Sequence, residues 1–242
     1  MRPTPRRDRT GPALAAALAL VLCAPGAHAD PPVVSGGFRV GGIAAVVGSS
    51  APGPGVDVIL RSDVDLRARI ALSGQTERAT GFERLPPALL RATLDQLIGE
   101  ALIAREAERV RVSSPGEADF ARERRRLEEE AGSAARLREL LTRLGAPAEE
   151  VEALARRRAL VTSFLQANLE GTTVVTDAEV EHAYGEGGHP FTDRALDEAR
   201  EDLRAWLARR SLDRAVRRWV SVLRARTTVR VLVQYDGDGS EG

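Results

Sequence analysis

The stretch from Leu85 to Val112 limits what this chain can fold into more than any other. It reads LPPALLRATLDQLIGEALIAREAERVRV. Two prolines open it, and proline suits the first turn of a helix because the missing N–H has no intrahelical partner there. A helix of about 24 residues is roughly 36 Å long at 1.5 Å per residue. Other elements must therefore pack along most of its length.

Apolar residues form one broad stripe along this predicted helix. They recur at the spacing of a single helix face, and charged residues occupy the opposite face. The stripe consists of Leu90, Leu94, Leu97, Ile98 and Leu102. Two uses remain open for it, packing in the core or binding an apolar partner, because the spacing is the same for both.

Composition indicates a globular chain. Its 242 residues suit one ordinary domain or two small ones. Apolar residues make up 43 % of the chain and charged residues 29 %, which excludes a disordered polypeptide. The formal net charge is zero, so electrostatics give no reason to expect a nucleic-acid partner.

Residues 1–29 have the pattern of a secretory signal peptide. An arginine-rich start precedes the apolar run Pro12–Leu22, and Ala27-His28-Ala29 is a small-x-small cleavage site. We expect cleavage before Asp30 and export to the periplasm. The apolar run is too short to span a bilayer, so we expect no stable membrane insertion after cleavage.

Cysteine chemistry is not expected in the mature protein. Cys23 is the single cysteine and lies inside the predicted signal peptide. Leu22 directly before it is unfavourable for lipidation, so we favour a cleaved protein over a lipoprotein. Residues 30–37 are predicted to be a flexible lead.

Strands are predicted near both ends of the chain, with helices between them. Turn residues over 48–55 join the first two strands into a hairpin. Because a hairpin alone is marginal in water, we predict that the C-terminal strand joins it. The predicted fold is mostly α, with six or seven helices and a small antiparallel sheet, in one domain over residues 38–235 with a disordered tail over 236–242. The predicted strands are Phe38–Val47, Val56–Leu60 and Thr227–Tyr235, and the predicted helices are Ser62–Leu72, Leu85–Val112, Pro115–Ala131, Ala134–Leu144, Pro147–Leu169, Thr176–Tyr184 and Thr192–Leu223.

Charged residues crowd the helix predicted over Pro115–Ala131. Arginines from Arg122 to Arg126 face glutamates from Glu128 to Glu130. Such a pattern is typical of a solvated helix face with exposed ion pairs, so we expect this run at the surface.

The order of these elements resembles the N-terminal domain of the SurA-type periplasmic chaperones. The resemblance covers roughly residues 38–235 and depends on an ordered set of short matches rather than on one diagnostic motif. The matching residues are Ile43 to Val47, Val58 to Leu60, Ser62 to Val64, Leu97, Ile98, Leu102, Ile103, Glu106, Ala107, Val112, Ser113, Glu117, Val175 to Val180, Tyr184, Pro190, Phe191 and Trp219 to Arg224.

Three features depart from the family's pattern. The hairpin loop GSSAPGPG replaces a tight turn, and Arg109-Val110-Arg111 stands where the family has a glycine. The family also inserts one or two parvulin-type prolyl isomerase domains before the last helix. Here only the six residues GEGGHP separate Tyr184 from Phe191, so we expect no isomerase activity.

The residues themselves give little support for an enzyme. Glu179 and His182 have a spacing used in carboxylate-bridged metal sites, but the further ligands of such a site have no counterpart in the sequence. We therefore favour a solvated helix face as the explanation of the pair. No serine has a Gly-x-Ser-x-Gly context, and no glycine-rich loop precedes a helix start with lysine. We therefore expect no catalytic residue, cofactor or metal.

The resemblance implies an ATP-independent periplasmic chaperone or holdase. It would bind unfolded exported polypeptides, outer-membrane protein precursors among them, through an apolar groove formed in part by the leucine stripe. A non-catalytic envelope scaffold that docks one folded partner is the alternative. Co-purification distinguishes the two, since a scaffold retains one stoichiometric partner and a chaperone a spread of unfolded clients.

Overall fold

A computed structural model describes residues 42–48, 55–75, 84–111, 114–169 and 174–235 of the chain. The predicted signal peptide, lead, hairpin loop and tail lie outside these residues, apart from Gly48 and Gly55 at the two ends of the loop. The contacts divide the chain into two units, with residues 165–219 in one and the described residues on either side in the other. The single domain expected over residues 38–235 thus contains two such units.

The described residues form seven helices and three strands, so the predicted mostly-α fold is confirmed. Helices account for most of the chain, and the strands make one small antiparallel sheet. In chain order the elements are β1 (Ile43–Gly48), β2 (Val56–Leu60), α1 (Arg61–Ser73), α2 (Pro87–Arg109), α3 (Glu117–Glu130), α4 (Ala134–Leu144), α5 (Ala148–Leu169), α6 (Asp177–Glu186), α7 (Leu196–Arg226) and β3 (Val229–Val231).

The sheet has the strand order β2-β1-β3, with both pairings antiparallel. The C-terminal strand therefore does close onto the N-terminal hairpin, as predicted, although β3 is much shorter than expected. Its backbone continues the pairing by one more bond, from the Leu232 N–H to the Ala44 carbonyl at 2.8 Å. The register of β1 against β2 shifts between Ile43 and Ala45, which marks a β-bulge.

One face of β1 and β2 is buried against helices, whereas Val231 of β3, which pairs with Ala45, is 49 % exposed. Ala45, Val47 and Ile59 have no exposed surface, and α1 and α2 contact the first two strands. A second apolar cluster joins α1 to α3, α4 and the first part of α5, with Ile70, Leu127 and Leu140 among its members. The long helix α2 itself packs against α1, β1 and β2.

Helix ends mostly follow the sequence signals. Pro86 and Pro87 stand at the start of α2, as predicted, and α4 ends at Gly145, whose φ of 63° lies in the left-handed region that favours glycine. The start of α1 was predicted wrongly. The helix begins at Arg61 instead of Ser62, and the Asp63 carboxylate accepts a hydrogen bond from the Leu60 backbone N–H at 2.8 Å.

Candidate functional site

The predicted leucine stripe lies in the interior of its unit. Leu94, Leu97, Ile98 and Leu102 are buried, and Leu90 is half-buried. A side chain with no solvent-accessible surface has no area to offer to a partner. Within the described residues, the stripe therefore packs the core, and an apolar binding surface has to be sought elsewhere.

Such a surface lies on the side of the sheet that faces away from α1 and α2. Antiparallel partners project their side chains to the same face, and residues alternate between faces along each strand. Val46 pairs with both Val58 and Arg230, and Ile43 pairs with Leu60. We name this side the outer sheet face; its apolar members are Ile43, Val46, Val56, Val58, Leu60 and Leu232.

The outer sheet face is accessible to solvent. Ile43, Val58, Leu60 and Leu232 each expose between 40 and 49 % of their surface, whereas Ile59 on the opposite side exposes none. Contiguous apolar patches on monomers rarely exceed a few hundred Å², and the larger ones often bind partners. On this face, four exposed apolar side chains lie beside the partly buried Val46 and Val56.

One charged side chain lies on this apolar surface. Arg230 is exposed in the same cross-strand row as Val46 and Val58. The other charged pair of the sheet lies on the opposite side: Asp57 pairs with buried Val47, and its carboxylate lies 3.5 Å from the Arg105 guanidinium of α2, which also donates to the Gly55 carbonyl.

Both outer strands also present free backbone edges. Within the described ranges, β2 and β3 each pair with β1 and with no further strand. An edge strand has unpaired N–H and C=O groups that an added extended chain pairs with directly. The outer sheet face and these two edges therefore offer apolar contact and backbone hydrogen bonds at the same place.

A buried cluster of charges lies elsewhere in the same unit, and it corrects one prediction. The charged run of α3 was expected to be solvated, and Arg122, Arg124 and Arg125 are indeed exposed. Glu123, however, is only 2 % exposed, and Glu130 is half-buried. The prediction that this charged run is solvated is therefore wrong for the positions of α3 that face the interior.

Arginines from two other helices neutralise these glutamates. The Glu130 carboxylate accepts from Arg67 of α1 at 2.5 Å and from Arg158 of α5 at 2.8 Å. Glu123 accepts from the Thr162 hydroxyl at 3.2 Å and from Arg126, and its second oxygen lies 3.8 Å from the Arg158 Nε, close enough for attraction but too far for a hydrogen bond. This buried ion network ties α1, α3 and α5 together.

The network shifts the protonation of Glu130. Burial alone raises the pKa of its carboxyl, but the positive charges of Arg67 and Arg158 outweigh burial and hold the pKa below its usual value. A carboxyl whose pKa is lower in the folded state binds a proton less readily there than when unfolded. Its contribution to stability is therefore complete above the unfolded pKa of about 4.3 and is lost as the pH falls through the folded value.

We accordingly expect the free energy of unfolding to fall as the pH drops below about 4.3, and Glu130→Gln to remove part of that dependence. Urea titrations at a series of pH values measure it. Glu129→Gln, at the exposed neighbouring position, is the matched control and is expected to follow the unmodified protein. An acid profile identical in all three proteins contradicts this role of Glu130.

Glu179 and His182, whose spacing suggested a metal site, have other partners, and so does the remaining described histidine. The Glu179 carboxylate accepts from the Thr176 backbone N–H and hydroxyl, both at 2.8 Å, and these bonds to the start of α6 lower its pKa. His182 lies 3.4 Å from Glu186, and both side chains are largely exposed. His189 is buried and stacks on Tyr184, with its Nδ1 accepting from the Phe191 N–H at 3.2 Å. These contacts serve helix capping and loop packing.

Among the residues that the structure describes, no group of three or more histidine, cysteine and carboxylate side chains is arranged to hold a metal ion. None of the helices there combines the length and the apolar character needed to cross a bilayer.

Comparison with protein-family models, with curated proteins and with solved structures finds no match for this chain.

Proposed function

We propose that this protein is an exported, ATP-independent chaperone that holds unfolded polypeptides in the periplasm and catalyses no reaction. The single observation that carries the proposal is the outer sheet face, an apolar surface exposed beside two free strand edges. The resemblance of residues 38–235 to the SurA-type chaperones and the signal-peptide pattern of residues 1–29 support the same conclusion.

The chemistry of this surface suits an extended chain. Unfolded outer-membrane protein precursors carry apolar side chains at alternate positions and backbone groups without partners. Laid along β2 or β3, such a segment pairs its backbone with the edge, and its alternate side chains meet Val58, Leu60 or Leu232. Main-chain pairing is independent of sequence, so many clients bind with similar affinity.

Holding a client requires no energy source. A protein that binds the unfolded state lowers the concentration of free unfolded chain by mass action and so slows aggregation. Contacts of moderate strength let the client leave when its membrane destination competes for it. The apolar side chains and strand edges described above supply both requirements without a nucleotide or metal.

The proposal predicts a loss of function from small changes on this face. Ile43→Thr combined with Val58→Thr keeps β-branched side chains, which suit a strand, but removes apolar contact. At about 0.8 kcal/mol per buried methyl-sized group, we expect at least a roughly fivefold rise in the concentration that half-suppresses aggregation. Light scattering of a denatured outer-membrane porin diluted into buffer measures this concentration.

The matched control is Val110→Thr combined with Val222→Thr. Both valines are exposed to about the same extent as Val58, at 44 and 43 %, but lie away from the sheet, Val110 directly after α2 and Val222 on α7. We expect suppression by this variant to equal that of the unmodified protein. No suppression by the unmodified protein rejects the chaperone, and recovery of one folded partner in stoichiometric amount from envelope extracts favours the scaffold instead.

A further inference from the structure

Charge is distributed unevenly along α7. Near the start of the helix the arginines have acidic partners: Arg200 lies 3.3 Å from Glu181, and Arg204 pairs with Asp177 and Glu201. Between Trp206 and Trp219 the sequence has five arginines against one aspartate. This segment therefore carries a formal net charge of +4, although the chain as a whole is neutral.

Four of these arginines share one side of the helix. Counted from Arg210, the others are Arg214, Arg217 and Arg218, which lie four, seven and eight residues later. At 3.6 residues per turn, these offsets place all four within an arc of about 100°. We name them the arginine stripe. All four are exposed, whereas Leu212 on the other side of the helix is buried. With Trp206 one turn before it, the row extends roughly 18 Å.

The stripe is not neutralised by its own unit. Among the described residues, none of its four guanidinium groups has a hydrogen bond or an ion pair within 4 Å. Arg210 lies over the ring of half-buried Trp206, 5.1 Å from its centroid. Burial raises the pKa of Asp213, while the charges of Arg217 and Arg209 oppose that rise, so Arg217 has a carboxylate in its neighbourhood. Arg214 and Arg218 are exposed to solvent, and no carboxylate of the described residues pairs with either guanidinium.

We propose that the arginine stripe docks this protein on the surface of an anionic phospholipid bilayer, by contact with lipid phosphate groups. A guanidinium forms paired hydrogen bonds with phosphate oxygens and is more weakly hydrated than an ammonium. A straight row on a convex helix fits a plane better than a groove. Trp206 at its end is the residue type that settles at the headgroup level, with an apolar ring and a polar N–H.

A nucleic acid fits these observations less well. Proteins that bind single strands interleave basic residues with several aromatic platforms, whereas no aromatic residue lies among the five arginines between Trp206 and Trp219. The preference for lipid over RNA also rests on the proposed export. Binding is peripheral: it requires no apolar span, and it weakens with ionic strength because surface charges are screened.

Vesicle sedimentation tests this inference on the purified full chain. Vesicles of phosphatidylcholine alone are compared with vesicles that contain about 30 % phosphatidylglycerol, each at low and at physiological salt. This content of anionic lipid gives the vesicles a clearly negative surface potential. We expect binding only to the anionic vesicles. Since each arginine near such a surface contributes about fivefold, replacing all four stripe residues with glutamine should weaken binding roughly 600-fold.

The matched control replaces four other exposed arginines, Arg91, Arg125, Arg138 and Arg156, with glutamine and so has the same net charge. We expect it to bind like the unmodified protein. Equal loss in both variants means that net charge alone drives binding, and it overturns the stripe, as does equal binding to neutral vesicles. Tighter binding to a single-stranded RNA than to anionic vesicles at the same salt overturns the choice of lipid. Aggregation suppression is measured in parallel, so failure of the chaperone proposal remains separate from failure of this one.

Discussion

Replacing Arg158 with methionine is expected to lower the free energy of unfolding by about 3 kcal/mol at pH 7. Arg158 is 1 % exposed and reaches two glutamates of α3, with its Nη2 2.8 Å from the Glu130 carboxylate. Methionine fills similar volume, so the loss is chiefly electrostatic. Removing one partner of a buried ion network leaves uncompensated charge, which typically costs about 3–5 kcal/mol.

The lower end of that range applies because both glutamates keep another partner. Glu130 retains Arg67, and Glu123 retains Arg126 and Thr162. The same argument fixes the pH dependence of the effect. Once Glu130 is protonated in acid, it no longer carries the charge that Arg158 compensates, so the destabilisation of Arg158→Met shrinks as the pH falls below about 4.3.

Urea unfolding of Arg158→Met at pH 7 and at about pH 2.5, well below the unfolded pKa of a glutamate, measures both parts of this prediction. Arg157→Met is the matched control, because Arg157 directly precedes Arg158 in α5 but lies outside the network. This substitution should lower the free energy of unfolding by no more than about 0.5 kcal/mol. A destabilisation that is equal at both pH values indicates lost packing instead of lost charge compensation. A cost below about 1 kcal/mol at pH 7 shows that the network contributes little.

The sequence pattern predicts the elements well because their signals are local. Paired prolines start α2, a glycine in the left-handed region ends α4, and Thr176 caps α6, the helix predicted to begin there. Pairing of β3 with β1 also follows from a general argument, since an isolated hairpin is marginal. These features depend on residues within a few positions of one another or on the number of strands available.

The surfaces depend on tertiary neighbours and are harder to predict. In Val56–Leu60 the alternation separates Val58 and Leu60 from Ile59, yet nothing local says which side helices will cover. Glu123 lies in a run of charges typical of solvent exposure, and only the approach of Arg158 and Thr162 from α5 buries it. The signal that could have revealed it is Leu127, four residues later on the same side and fully buried.

The same dependence explains why the leucine stripe could not be assigned from its spacing. A helix face that packs against a core and one that binds an apolar client have the same periodicity. The structure separates them by burial, because Leu97 and Ile98 are almost fully covered while Val58 and Leu60 are not. Stability and client binding should therefore respond to different residues.

Leu97→Ala is accordingly expected to lower the free energy of unfolding by about 2–5 kcal/mol, the cost of a buried leucine with the cavity it leaves. At a temperature and pH where the variant stays folded, its suppression of porin aggregation should match that of the unmodified protein. Leu60→Ala on the outer sheet face should show the opposite pattern, with a small loss of stability and weaker suppression. Urea titration and light scattering on the same preparations measure both properties.

Leu90→Ala provides the control on the same helix, since Leu90 is half-buried and should cost less than Leu97→Ala. If Leu97→Ala abolishes suppression while circular dichroism shows an intact fold, the stripe itself contacts clients and the helix must move to expose it. If Leu60→Ala leaves suppression unchanged, the outer sheet face is not the client surface. Because each variant changes one property and spares the other, the two uses of apolar side chains that share one periodicity become separable by measurement.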